Sequence, residues 1–220
     1  MRSLSASTFA KLAAVLCLFV IAANLVSLFI LDSTHQTAAN NLTRIHSTQQ
    51  AVTSARETQV AFKNQVHEWK NILLRGQNPE AFATYRAAFE AAEADTRVKL
   101  KELTKAFTVA NLGTLPSDLE QDHRTLTKTY QDALNLYQSD NPASILTVDS
   151  YVRGIDRKLT ADLDQLASST ERHAQELLQS LQLQAAQRRE LHTLLSWSFS
   201  GLTVFAVLAF AIVASFRTTG

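Results

Sequence analysis

Two runs of this sequence concentrate side chains able to hold a small molecule. The first, FKNQVHEWKNILLRG at 62–76, carries Glu68, Trp69, Lys70, Asn71 and Arg75; the second, DSYVRGIDR at 149–157, carries Arg153, Asp156 and Arg157. Three arginines on facing elements can form a planar fork for a carboxylate or a phosphate. Trp69 would supply an aromatic wall, and Glu68 and Asp156 would balance or orient the guanidinium groups. Gly154 stands inside a helical pattern, where it costs about 1 kcal/mol against alanine and leaves room for close approach or for a small ligand. The same residues also read as an interhelical salt-bridge network, and their types and spacing leave both readings open.

Other chemistries fit poorly. A di-iron site in a helical bundle needs two Glu-x-x-His motifs, and Glu120 with His123 makes the single match. Among the six histidines, only His123 and His173 fall at comparable heights along antiparallel helices, and a polar layer or flank explains them as well. The lone cysteine, Cys17, lies in an apolar run, which excludes a disulfide within one chain and a thiolate metal site. No catalytic set, metal site or cofactor is expected, so an enzyme is not. A formal net charge of +1, without a basic block, does not suit nucleic acid.

The elements that position these runs are helical. Five glycines and three prolines in 220 residues leave few breakers, and the chain is rich in Ala, Leu, Gln, Thr and Glu. The prolines divide the middle. Asn78 before Pro79 and Asn141 before Pro142 are N-caps with proline at the first helical position. Ser117 and Glu120 form a capping box, while Gly76 and Gly113 are placed to end helices. Four helices are predicted, over 4–76, 80–110, 117–139 and 143–216. Ile45, Thr48, Val52, Ala55, Gln59, Phe62, Val66, Trp69 and Leu73 alternate steps of three and four, a core seam with a polar layer at Gln59. Val152, Ile155, Leu159, Leu163, Leu166, Thr170, His173, Leu177 and Leu181 form the matching stripe. The expected fold is all-α: an up-down four-helix bundle whose first and last helices continue into two transmembrane helices.

Those spans are 12–31 and 194–216, each near the ~20 apolar residues a bilayer needs. The first continues eight residues past Ala23, further than a signal peptide requires, and reads as an uncleaved anchor. Residues 1–11 and 217–220 then lie on one side, and a domain over 32–193 on the other. Arg2, Lys11 and Arg217 balance Arg44, Arg188 and Arg189, so the positive-inside rule does not orient the chain. At about 1.5 Å per residue, residues 63–75 rise about 48–66 Å beyond the first span and 152–157 about 56–63 Å from the second. Both polar runs therefore meet at the membrane-distal tip.

The run FKNQVHEWKNILLRG resembles the signature at the end of the first periplasmic helix in a subset of bacterial methyl-accepting chemotaxis proteins. DSYVRGIDR is similar to the companion motif that opens the fourth helix of those receptors, and QNPEAF at 77–82 with Tyr85 also fits. His67 falls where relatives more often carry glutamine. The resemblance covers about residues 1–216. It implies a two-pass protein of the bacterial inner membrane, with termini in the cytoplasm and the bundle in the periplasm. It also implies a homodimer, or pairing with a full-length chemoreceptor, and detection of a small molecule. A full receptor would continue into a HAMP linker and a methylated signalling coiled coil, which this sequence does not contain; output is expected through a partner. The rival expectation is an accessory membrane protein that keeps the scaffold without sensing, or the remnant of a truncated receptor. Weak small-xxx-small spacing at Ser196 and Ser200 would favour pairing in the second span.

Overall fold

The computed structural model describes residues 6–113 and 118–218. Among them the regular elements are α1 (Ala6–Arg75), α2 (Pro79–Ala110), α3 (Leu119–Leu134), α4 (Pro142–Val152) and α5 (Arg157–Thr218), with no strand. Two helix starts follow the asparagine–proline logic. Asn78 accepts the Ala81 N–H at 2.9 Å, and Asn141 accepts the Ala143 N–H at 3.0 Å. In both, proline holds the first helical position, where its missing N–H would have had no partner within the helix.

Three boundaries differ from the sequence expectation. The end of α2 is made by Asn111 rather than Gly113: Asn111 turns left-handed at φ 53°, and the following N–H of Leu112 reaches Phe107 O at 3.1 Å. Asparagine tolerates this conformation because its short polar side chain bonds locally. The third helix stops at Leu134 instead of 139, and the expected cap at Ser117 lies outside the described residues. Most consequentially, the last helix is two helices. Residues 153–156 form a turn around Gly154, whose φ of +79° suits a residue without a Cβ, so this glycine interrupts a helix rather than sitting within one.

The chain divides into two compact units, one of residues 43–178 and one of 1–42 with 179–220. In the second unit, α1 and α5 are long and apolar enough to cross a membrane, with leucine, valine and phenylalanine side chains facing outward. Within it the Thr34 hydroxyl lies 3.4 Å from His192 Nε2 and donates to Ile30 O.

The unit of residues 43–178 has its own core. Phe62, Val66, Trp69 and Ile72 of α1 pack with Phe89 of α2, Leu126 and Tyr130 of α3, Val148 and Val152 of α4, and Leu159 and Leu163 of α5. Burying each such large side chain contributes about 1.5–3 kcal/mol. A second cluster uses Ala51, Ala55 and Ala167 against Leu103 and Phe107, small residues that let the helices approach. The α1 seam is as wide as a packed helix face: Ala51, Thr58, Gln65 and Ile72 join it. In the α5 stripe, His173 is the exception and is exposed.

Two ion pairs set the direction of α1 against α5. Arg56 pairs with Glu171, and Lys63 with Asp164 at 2.9 Å; residue numbers rise on one helix as they fall on the other, so the two run antiparallel. Gln59 donates to the same Asp164 at 2.5 Å, so the seam's expected polar layer bonds across to α5. These groups are half-exposed, and such pairs are worth little to stability. Their consequence is register.

Tyr137 closes the other end. Its hydroxyl donates to Gly76 O at 2.7 Å, capping the chain after α1, and its ring stacks on Phe82 at 4.9 Å between centroids. Tyr137→Phe keeps the stack and removes the hydrogen bond. It is expected to cost about 1–2 kcal/mol in chemical denaturation, with faster amide exchange near Gly76.

Candidate functional site

The antiparallel register carries both polar runs to one level. Extending the Arg56–Glu171 and Lys63–Asp164 alignment along the helices sets Lys70 level with Arg157, the first residue of α5, where the helical register ends. Lys70 of the first polar run and the start of α5 thus share a level.

Their environments sort them into two groups. Arg75, Lys70, Arg153 and Arg157 are exposed. Arg153 is held by Asp149 one turn earlier, with Nε at 3.2 Å and Nη2 at 2.6 Å from the same carboxylate oxygen. Arg157 lies over the turn: a Cβ added at Gly154 would stand 3.2 Å from Arg157 Nε. Gly154→Ala therefore meets both the left-handed backbone and this guanidinium. Asp156 is half-buried, and its carbonyl accepts the Thr160 N–H at 2.9 Å to start α5. Its carboxylate reaches electrostatically to Tyr130. Burial first, and the charge of Asp156 second, push the Tyr130 hydroxyl above the ordinary phenol range.

Trp69 belongs to the second group. It is 3% exposed, 4.4 Å from the Tyr130 ring centroid and 5.6 Å from that of Phe89. Its indole fills the core between α2 and α3, so it is not the aromatic wall of an open pocket. The reason is phase: Trp69 lies seven residues after Phe62 on the seam, whereas Lys70 turns outward. Asn71 is also buried, and its Nδ2 donates to Glu68 Oε2 at 3.0 Å. Glu68 thereby braces its own helix rather than an arginine.

Of the two readings open for His123 of α3, a buried polar layer is the one found, and the partner that residue types had not marked is Gln65 of α1, whose side chain meets it at 2.8 Å. Burial first, then the positive charges of Arg97 and Arg124, lower the His123 pKa to about 4. The available signal was Gln65 lying on the core face, one residue before Val66. His123 and His173 share no site: one is buried against Gln65 and the other exposed. Among the described residues no group of three or more His, Cys, Asp or Glu is arranged to hold a metal ion. Ion pairs also join neighbouring helices: Lys99 of α2 bonds Glu57 of α1, and Lys158 of α5 bonds Asp122 of α3. Glu102 and then Glu57 hold the Lys99 pKa above its ordinary range, and Asp122 and then Asp162 do the same for Lys158.

Comparison with known proteins yields a partial match. The chain is 33% identical over 135 residues to the methyl-accepting chemotaxis protein CtpH of Pseudomonas aeruginosa. That alignment takes in 61% of this chain and 23% of the relative, so the chain spans about a quarter of that receptor's length. No family model matches the chain, and no solved structure does.

Proposed function

We propose that this chain is a chemoreceptor-like sensor module: a periplasmic up-down four-helix bundle anchored in the inner membrane by the apolar stretches of α1 and α5. It binds a small polar or anionic ligand, carrying a carboxylate or phosphate, at the α4–α5 turn. The observation that carries this reading is the interruption at 153–156. It sets Arg153 and Arg157 on either side of a left-handed glycine, Arg75 ends α1, and all three guanidinium groups are exposed. Similarity to a chemotaxis receptor over 61% of the chain supports it.

In this reading the guanidinium groups bind and the helices transmit. Lys70 adds positive charge, while Asn71 and Glu68 stiffen α1 beneath it. Trp69 and Asp156 contribute through the core and the start of α5 rather than by touching the ligand. An anion bridging Arg75 to Arg153 or Arg157 would draw α1 and α5 into a preferred offset, provided that offset binds it more tightly than the alternative. Both helices continue without a break into the apolar stretches, and in this reading a shift along either axis would reach them. Output would pass through a second copy or a full-length receptor.

The test is binding by the purified chain in detergent, screened by thermal shift against organic acids, amino acids and inorganic phosphate. A ligand should raise Tm by several degrees, and Arg153→Ala with Arg157→Ala should weaken it at least tenfold without lowering the unliganded Tm. If no anion shifts Tm, or binding survives the double substitution, the rival reading stands: an accessory membrane protein that keeps this scaffold as a dimerising anchor.

A further inference from the structure

Charges on α1 and α5 repeat at the same interval. On α1, cations recur every seventh residue at Arg56, Lys63 and Lys70; on α5, Glu171, Asp164 and Arg157 descend by the same step. Seven residues fall about 20° short of two full turns, so side chains at that interval stay on one face of a helix. The two rows meet rung by rung: Arg56 pairs with Glu171, and Lys63 with Asp164 at 2.9 Å. One further step, about 10.5 Å along each helix, sets Lys70 level with Arg157.

The sign changes at this third rung. The first two join a cation to a carboxylate, and the third sets a cation on each helix. Both side chains are exposed, and Arg157 keeps its charge near the start of α5, with Cζ 3.5 Å from where a Cβ on Gly154 would stand. The carboxylates nearest in sequence are engaged elsewhere. Glu68 accepts from Asn71, Asp149 accepts from Arg153, and Asp156 is half-buried with its charge acting on Tyr130. Like charges at one level oppose close approach of the helices. An anion between them replaces that repulsion with charge-assisted hydrogen bonds from both sides.

We propose that Lys70 and Arg157 share one small oxyanion, a carboxylate or a phosphate, which supplies the negative charge of the third rung and fastens the distal end of α1 to α5. This rests on the anion-binding reading above and names the pair through which the anion couples the two helices. Arg153, already held by Asp149, is then secondary to Lys70 in that coupling. The guanidinium takes two oxygens in its plane and the ammonium takes another as a point charge, so the ligand is compact and carries at least two charged oxygens. The first two rungs hold the register, and the anion closes the end beyond them.

The experiment follows Tm of the purified full chain in detergent at low ionic strength, with inorganic phosphate and succinate as probes and sodium chloride at matched ionic strength as control. Lys70→Glu and Arg157→Glu each create an opposite-charge rung and should raise the unliganded Tm by about 1–2 °C. The double reversal sets two acids at one level, and its shift should fall short of the sum of the single shifts by about 2–4 °C. Additive shifts overturn the rung; the cycle also cancels any gain from a glutamate at the start of α5. Phosphate or succinate should raise the wild-type Tm saturably, and whichever acts identifies the anion's chemistry. Lys70→Glu should weaken that binding at least tenfold, and Lys70→Gln serves if the glutamate variant does not fold. Saturable binding that survives loss of Lys70 overturns the proposal and leaves an anion site at the turn arginines alone. No shift, or one that sodium chloride reproduces, overturns it together with the anion-binding reading beneath it.

Discussion

Trp69→Ala is expected to destabilise the unit of residues 43–178 by about 3–5 kcal/mol, the range for removing a large buried aromatic. Trp69 is 3% exposed and contacts Tyr130 and Phe89, which contact each other at 5.6 Å. Deleting the indole removes two members' shared partner from this three-ring cluster and opens a cavity that three helices line. Aromatic geometry adds about 0.5–1.5 kcal/mol per pair beyond area alone. Urea denaturation followed by far-ultraviolet circular dichroism measures the loss. Trp69→Phe, which keeps most of the volume, should lose less than half as much. The contrast with Arg75→Ala is informative, because that exposed guanidinium should cost under about 0.5 kcal/mol. A tryptophan that lined an open site would give the opposite pattern, with little loss of stability from Trp69→Ala.

The second large effect is with pH. His123 has a folded pKa of about 4 against an ordinary value of 6.5. The folded state therefore binds the proton more weakly than the unfolded state. His123 imposes no penalty above pH 6.5; as pH falls from there toward about 4, stability is lost progressively. At ~1.4 kcal/mol per pKa unit the full loss is roughly 3 kcal/mol. Asp164 acts in the same direction but lower: Gln59 and then Lys63 hold its carboxyl below the ordinary 3.8, so its contribution is lost only under more acid conditions. Thermal unfolding between pH 7.5 and 4.5 should show a Tm that falls most steeply below about pH 6. Replacing both partners, Gln65→Leu with His123→Leu, should flatten that slope and hold the Tm at pH 7, since neither polar group is left alone. His123→Leu alone should flatten the slope but lower the Tm, because Gln65 keeps no partner. A slope unchanged in the double variant would assign the acid sensitivity to other groups.

How far the candidate site could be read in advance depended on the kind of information involved. Helix spacing supplied part of its level: about 1.5 Å per residue carried the first polar run to the height of the last helix's start, and the ion pairs along α1 and α5 set Lys70 level with Arg157. Side-chain roles were harder. Trp69 and Arg75 stand six residues apart in one polar run, yet one is core and the other surface, because that separation is not a whole number of turns. Arg153 was free to reach several acidic groups in sequence, and one turn of α4 decided for Asp149. Gly154 is a third case. Propensity registers a glycine in a helical pattern as a cost, but whether the chain absorbs it or breaks there depends on what stabilises the alternative. Here the turn at 153–156 starts a new helix from the Asp156 carbonyl, so the break is satisfied.

The sequence by itself determined that this protein is helical, where two of its helices begin, which face of each long helix is apolar, and that two stretches are long and apolar enough to cross a membrane. All of these follow from local chemistry: the missing N–H of proline, the capping oxygen of asparagine, the 3.6-residue period and the length of an apolar run. Only the tertiary structure decided that the tryptophan is a core ring, that the last helix is divided, and that a glutamine and a histidine 58 residues apart meet inside the core. Those outcomes depend on which side chains of different helices share a level and a face, and chain separation places no bound on that. The polar runs that first suggested a binding site remain, but as an exposed arginine surface on a turn, braced from beneath by the aromatic core.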